Sequence, residues 1–206
     1  MAGRPRGVDD EVILRAAAEV IGRVGPARLT LSLVAREVGL VPGTLVQRFG
    51  SKRGLLLALA ERSAKDPDAL LRRARGAGHP PPAALETLET LVTEQMAGMA
   101  TPETFANHLA FLCLDLTDPE FHEHALAVHL AQGRAIESLL AEAVEAGELR
   151  AGTDVAALAA TVQAVAAGTG LTWALERRGT LARRLREEIR AVLSAHVRGT
   201  PDVEES

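Results

Sequence analysis

Residues 30–57 read TLSLVAREVGLVPGTLVQRFGSKRGLLL. Leu31, Val34, Ala35 and Val38 recur at helical spacing behind Thr30, a residue suited to an N-cap, and Gly39 closes the segment. Pro42 to Phe49 makes a second short helix, with proline in its permitted first turn and Gly50 after its end. A short helix, a glycine turn and another short helix form a helix-turn-helix. Ala35 is small where the two helices cross, and Leu40 and Leu45 anchor the second from beneath. Pro42 opens that helix, and Gly43, Thr44, Gln47 and Arg48 are its outward positions, expected to face the major groove of double-stranded DNA. Thr44 lies three residues before Gln47 and four before Arg48, which puts the three on one face. Thr30 and Lys52, at the starts of neighbouring helices, are expected to meet phosphates.

Outward from this stretch the periodicity stays helical. Val12, Ile13, Ala16, Ala17, Val20, Ile21 and Val24 define a first helix, with Asp9 as N-cap and Gly25 as the expected stop. Ahead of it, Arg4-Pro5-Arg6 is a short basic arm that would reach phosphate or a minor groove. Ser51 caps a fourth helix, about 51–65, with Leu55, Leu56, Leu59 and Ala60 on its apolar face. Residues 66–82 hold Asp66-Pro67, Gly76-Ala-Gly78 and three consecutive prolines, and are expected to be a loop. A helix then carries Leu85, Leu88, Val92, Met96 and Met99. Thr101-Pro102 opens a short element through Leu116, and Asp118-Pro119 opens a long helix to about Glu145. Val155–Arg177 and a helix defined by Leu181, Leu185, Ile189, Val192 and Leu193 complete the series, before a tail, 199–206, expected to fray. No strand pattern appears. The fold class is all-α.

Composition narrows the function. The 206 residues carry a net charge of −4, but residues 1–60 hold nine Lys/Arg against five Asp/Glu, a balance of +4. The remainder holds fourteen against twenty-two, a balance of −8. A basic first third on an acidic remainder suggests that one end meets a polyanion. One cysteine, Cys113, excludes an intrachain disulfide framework, and the N-terminus lacks the apolar run of a signal peptide. Residues 155–175 are charge-free and long enough to cross a bilayer, but they are mostly Ala and Gly with four polar side chains. They are expected to be a buried helix, with no membrane partner.

Ala35 and Gly39, the run Gly43-Thr44-Leu45, Phe49, and the pair Ser51-Lys52 leading into a Leu-rich helix give this segment its kinship. From Asp9 to about Arg62 the chain resembles the TetR family of transcriptional regulators. It departs from the family pattern at Val41, where a small hydroxyl residue is usual, and at Val46, where an aromatic is frequent. The resemblance implies a DNA-binding domain over 1–50 and a ligand-binding and dimerisation domain over 51–206. It also implies a cytoplasmic homodimer on a palindromic operator, a repressor released by a small-molecule effector, with no cofactor and no enzymatic activity.

The acidic portion offers residues for those roles. Met96, Met99, Phe105, His108 and Phe111 are candidates to line an effector cavity. Leu112, Cys113, Leu116, His122 and Trp173 extend the set, which as a whole suggests a mainly apolar ligand. Ala164 and Gly168 lie in a helix rich in small residues that suits a close-packed dimer interface. Two rival readings remain from the residues: a helical interaction bundle with a vestigial helix-turn-helix, and a helical-bundle enzyme. For the second, Phe121-His122-Glu123-His124 looks metal-like, but His122 and His124 diverge by about 200° around a helix. No metal site, phosphate loop or nucleophile motif is found.

Overall fold

The computed structural model describes residues 8–65, 68–76 and 82–197. The expectations for Arg4, Arg6 and the 199–206 tail fall outside them, as do two of the three consecutive prolines. The described residues form ten helices with no strand; Leu149 and Val197 make one isolated antiparallel bridge. In order these are α1 (Asp10–Arg28), α2 (Leu31–Glu37), α3 (Pro42–Phe49), α4 (Lys52–Lys65) and α5 (Ala69–Arg75). There follow α6 (Ala84–Gln95), α7 (Pro102–Thr117), α8 (Pro119–Glu145), α9 (Val155–Glu176) and α10 (Leu181–Ser194).

Two compact units result. The first is drawn from Met1–Pro67 and Gly98–Val128, and the second from Asp68–Ala97 and His129–Ser206. In the first, Ile13, Ala17, Val20 and Ile21 of α1 share a core with Val34, Ala35, Leu45, Leu55, Leu59 and Phe121. The expected stop at Gly25 is instead a kink. Gly25 adopts φ +78°, ψ 162°, and helical structure resumes from Pro26 to Arg28. Proline is allowed there because it begins a new turn, where its missing N–H is not needed. Close packing explains the glycines: a Cβ on Gly22 would sit 3.1 Å from His108 Cε1, and one on Gly25 would sit 2.8 Å from Asn107 Oδ1. Asn107 Nδ2 donates to Gly22 O at 2.8 Å, so α7 lies directly on α1.

In the second unit the 66–82 stretch is not all loop. Ala69–Arg75 forms α5, a seven-residue helix between two breakers, too short for periodicity to reveal. α6 ends at Gln95, so Met96 stands at its C-cap and Met99 beyond it. Ala83 has no side chain with which to cap α6. The carboxylate of Glu148 does so from a distant loop, accepting from Ala84 N at 2.9 Å and Leu85 N at 3.3 Å. Arg190 of α10 reaches Glu89 of α6 through two parallel bonds of 2.6 and 2.7 Å. The buried stripe of α9 includes Leu158, Val162, Ala166, Thr169 and Trp173. Among the described helices α9 alone is long and apolar enough to cross a membrane, by length and composition.

Candidate nucleic-acid interface

The turn of the helix-turn-helix is fixed by the backbone. Leu40 N donates to Ala35 O at 2.8 Å and Gly39 N to Arg36 O, with Gly39 at φ +67°. This is a Schellman closure, and its left-handed position explains why glycine stands there. Thr30 caps α2 as expected, its Oγ1 accepting from Leu33 N at 3.2 Å. Val41 stands at the N-cap of α3 and offers no side-chain bond, so proline at the first turn and the preceding backbone set the helix start.

Leu45 is fully buried and pins α3 to the core. At 100° per residue, Gly43 and Gln47 lie about 160° from Leu45 on either side, at the outward crest, and Val46 lies about 100° from it. Val41, Pro42, Gly43, Val46 and Gln47 are exposed and Thr44 is half-buried. Arg48 lies only about 60° from Leu45, on the flank. Its Nη1 donates to Val8 O and, at 2.9 Å, to Asp10 Oδ1. Arg48 thus holds the start of α1. The sequence placed it with Thr44 and Gln47, and helical spacing alone could not show which flank α1 occupies.

Lys52 Nζ donates to Ala27 O at 2.7 Å, closing the C-terminal end of α1. Ser51 Oγ accepts from Gly54 N at 3.1 Å. Gly54 has a steric reason of its own: a Cβ there would sit 2.0 Å from Phe49 O, so only glycine allows α4 to start so close to the end of α3. Next to Lys52, Arg53 binds Asp118 and Glu120, and its guanidinium stands 5.4 Å from the centre of the Phe121 ring. Phe121 meets Phe111 edge-to-face, with ring centres 6.4 Å apart. No local pattern reveals this cluster, since Arg53 lies 65 residues from Asp118 and 67 from Glu120; the one legible signal is a cation at one helix start and acids at another.

The effector candidates divide between the units. On α7, Phe105, His108 and Phe111 are buried or half-buried, and His108 lies against Gly22 of α1. Leu112, Cys113 and Leu116 are exposed, as is His122 on α8, while Met99 is half-buried. Met96 and Trp173 belong to the second unit, where the Trp173 indole is buried and donates to Gly179 O at 3.2 Å. Ala164 and Gly168 are exposed on α9, and a Cβ on Gly168 would meet nothing within 4 Å. No group of three or more His, Cys, Asp or Glu able to hold a metal ion occurs among the described residues. A polar cleft of about 240 Å³ at the α9–α10 turn is lined by Arg178, Arg183 and Glu187 and includes none of the candidates.

Residues 13–59, the region of this helix-turn-helix, match the model of bacterial regulatory proteins of the tetR family. Residues 110–189 match the tetracyclin repressor-like C-terminal domain. The chain belongs to the TetR family. This TetR-family chain is accordingly a DNA-binding regulator rather than an enzyme. Among curated proteins no relative matches it. Among solved structures it is similar to a TetR-family regulator from Rhodococcus sp., with a TM-score of 0.66 and 21% identity over 89% of this chain and 98% of that one. It is also similar to SmeT, the repressor of the Stenotrophomonas maltophilia multidrug efflux pump SmeDEF, with a TM-score of 0.64 and 21% identity over 97% of both chains. FadR from Bacillus subtilis, solved with stearoyl-CoA, gives a TM-score of 0.62 and 18% identity over 90% of this chain and 98% of that one. At these identities the likenesses establish a TetR fold.

Proposed function

We propose that the protein is a cytoplasmic homodimeric repressor that binds a palindromic operator and is released from it by a small, mainly apolar ligand. The observation that carries this reading is the recognition helix α3, pinned by Leu45 and the Gly39 turn with its opposite crest open to solvent. Residues 1–50 read DNA, and residues 51–206 sense ligand and dimerise. Thr30, Pro42, Gly43, Thr44 and Gln47 form the proposed footprint, with Lys52 on phosphate and Arg4 and Arg6 as the basic arm. Lys52 has three donors and spends one on Ala27, leaving the others for phosphate.

For the ligand class, SmeT has been solved with triclosan, a mainly apolar molecule, and FadR with stearoyl-CoA, which carries a long apolar acyl chain on a charged coenzyme A. The exposed apolar side chains of α7, Leu112, Cys113 and Leu116, are proposed ligand contacts on the same helix that lies against α1. The dimer is proposed to form on the exposed face of α9, where Ala164, Gly168, Leu171 and Leu175 leave a charge-free surface. One short recognition helix reads few bases, and two-fold pairing doubles the site.

Selection of binding sites from random duplexes by the full chain tests the reading, followed by a screen for apolar compounds that release the enriched DNA. A two-fold symmetric consensus and a releasing compound are expected. A chain that selects nothing is a bundle with a vestigial helix-turn-helix.

A further inference from the structure

The exposed start and flank of α3 are unusually apolar for a surface meant to meet DNA. Val41 is 68% exposed and Val46 50% exposed, with Gly43 between them open to space. Nothing in the core requires valine at either position, and an isolated exposed valine favours neither a helix interior nor its cap. The one guanidinium of α3, on Arg48, is turned onto Asp10 and Val8. A guanine is read best by a cation that reaches its O6 and N7 together, and the crest presents none. What the exposed surface does present is two branched apolar side chains, Val41 at the N-cap and Val46 on the flank, beside the Gln47 amide at the crest. The thymine C5-methyl is the apolar group of the major groove, and glutamine pairs with adenine N6 and N7.

We propose that Val41 and Val46 are specificity-determining residues that read C5-methyl groups of thymine, with Gln47 on an adjacent adenine, so that the base pairs facing α3 are A·T. Gly43, lacking a side chain, lets the helix backbone approach the base edges closely enough for these short side chains to touch. The inference rests on the DNA-binding reading above and adds its base chemistry.

The test uses the full chain and the duplex it selects. Each thymidine facing α3 is replaced in turn by deoxyuridine, which deletes the methyl and keeps the pairing. At one or two positions per half-site, affinity is expected to fall about fourfold, or about 0.8 kcal/mol at 1.4 kcal/mol per factor of ten. Val46→Ala should bind the thymidine and deoxyuridine duplexes alike at its position, while Val46→Ile keeps the difference. Helical circular dichroism and salt-dependent binding to bulk DNA confirm that each variant is folded. 5-Methylcytosine opposite guanine at the same position separates the methyl from the thymine ring: partial recovery of affinity over cytosine supports methyl reading. Equal binding of all deoxyuridine duplexes with sequence preference intact overturns the proposal. So does a selected half-site whose α3-facing pairs are G·C and whose preference is lost in Arg48→Ala. Absence of salt-dependent binding to any duplex overturns both this proposal and the functional reading beneath it.

Discussion

Arg53 donates to both carboxylate oxygens of Asp118, at 3.1 and 2.8 Å, and so ties the second residue of α4 to the C-cap of α7. A second bond of 2.7 Å to Glu120 and the Phe121 ring complete the clasp. The hydrogen bond from Arg53 holds the Asp118 carboxyl below the usual carboxylate range, and Asp118 and then Glu120 raise Arg53. Because the folded carboxyl ionises more readily than the unfolded one, this stabilisation is present at neutral pH and is lost as pH falls through the lowered value. Asp118→Asn is expected to flatten the acid limb of stability, read by urea unfolding at several pH values below about 5. A limb identical to that of the unsubstituted protein would show the clasp to be energetically silent.

Asp115 gives the opposite pH dependence. Burial pushes its carboxyl up to about 6, and its Oδ1 has no hydrogen-bond partner. The folded state therefore holds a proton that the unfolded state has already released, and stability declines as pH rises from about 4 to 6. Asp115→Asn should remove that decline and raise stability at neutral pH by on the order of 1 kcal/mol, since the half-buried group is still partly screened by water. Thermal unfolding across this window measures it; an unchanged slope would place the titrating group elsewhere.

The α1–α7 seam depends on absent side chains. Gly25 occupies a backbone region essentially restricted to glycine, and Asn107 Oδ1 fills the space a Cβ would need. Gly25→Ala is expected to cost about 1–3 kcal/mol of stability. Gly39→Ala, whose strain is left-handed but whose surroundings are open, should cost about 1–2 kcal/mol. Urea midpoints that rank Gly39→Ala as the more damaging would contradict the steric part of this account.

Gly168→Arg separates association from folding. The position is exposed and a Cβ meets nothing within the chain, so the monomer should keep its helical content. A partner packed on this face could not accept a long charged chain, and sedimentation should show folded monomer with operator affinity lowered. A dimer that survives both this change and Ala164→Arg lies on another face.

Lys52→Ala should lower DNA affinity across all sequences and reduce the salt slope by about 1, because each phosphate contact releases its counterion. Loss of the Ala27 bond also loosens the end of α1, so unfolding is measured alongside. A salt slope that does not change would take Lys52 out of the phosphate footprint.

The chain of residues alone specified the helix-turn-helix, because every signal in it is local. Thr30 caps, Gly39 turns left-handed, Pro42 starts, Leu45 buries and Gly50 stops, each within a few residues of the bond it makes. It determined the all-α class for the same reason, since periodicity and caps are properties of neighbours in the chain. It misread Gly25, where glycine signals a stop and the arrival of α7 makes it a kink. It missed α5, whose seven residues are too few for a period. What the charged side chains do was decided by tertiary structure alone. Arg48 shares a helical face with Thr44 and Gln47, yet Asp10, 38 residues away, holds it on the α1 flank; Arg53 stands at a helix start, and Asp118, 65 residues away, holds it. Long, flexible cations take whichever partner the fold brings within reach, and no local pattern of residues encodes which partner that will be.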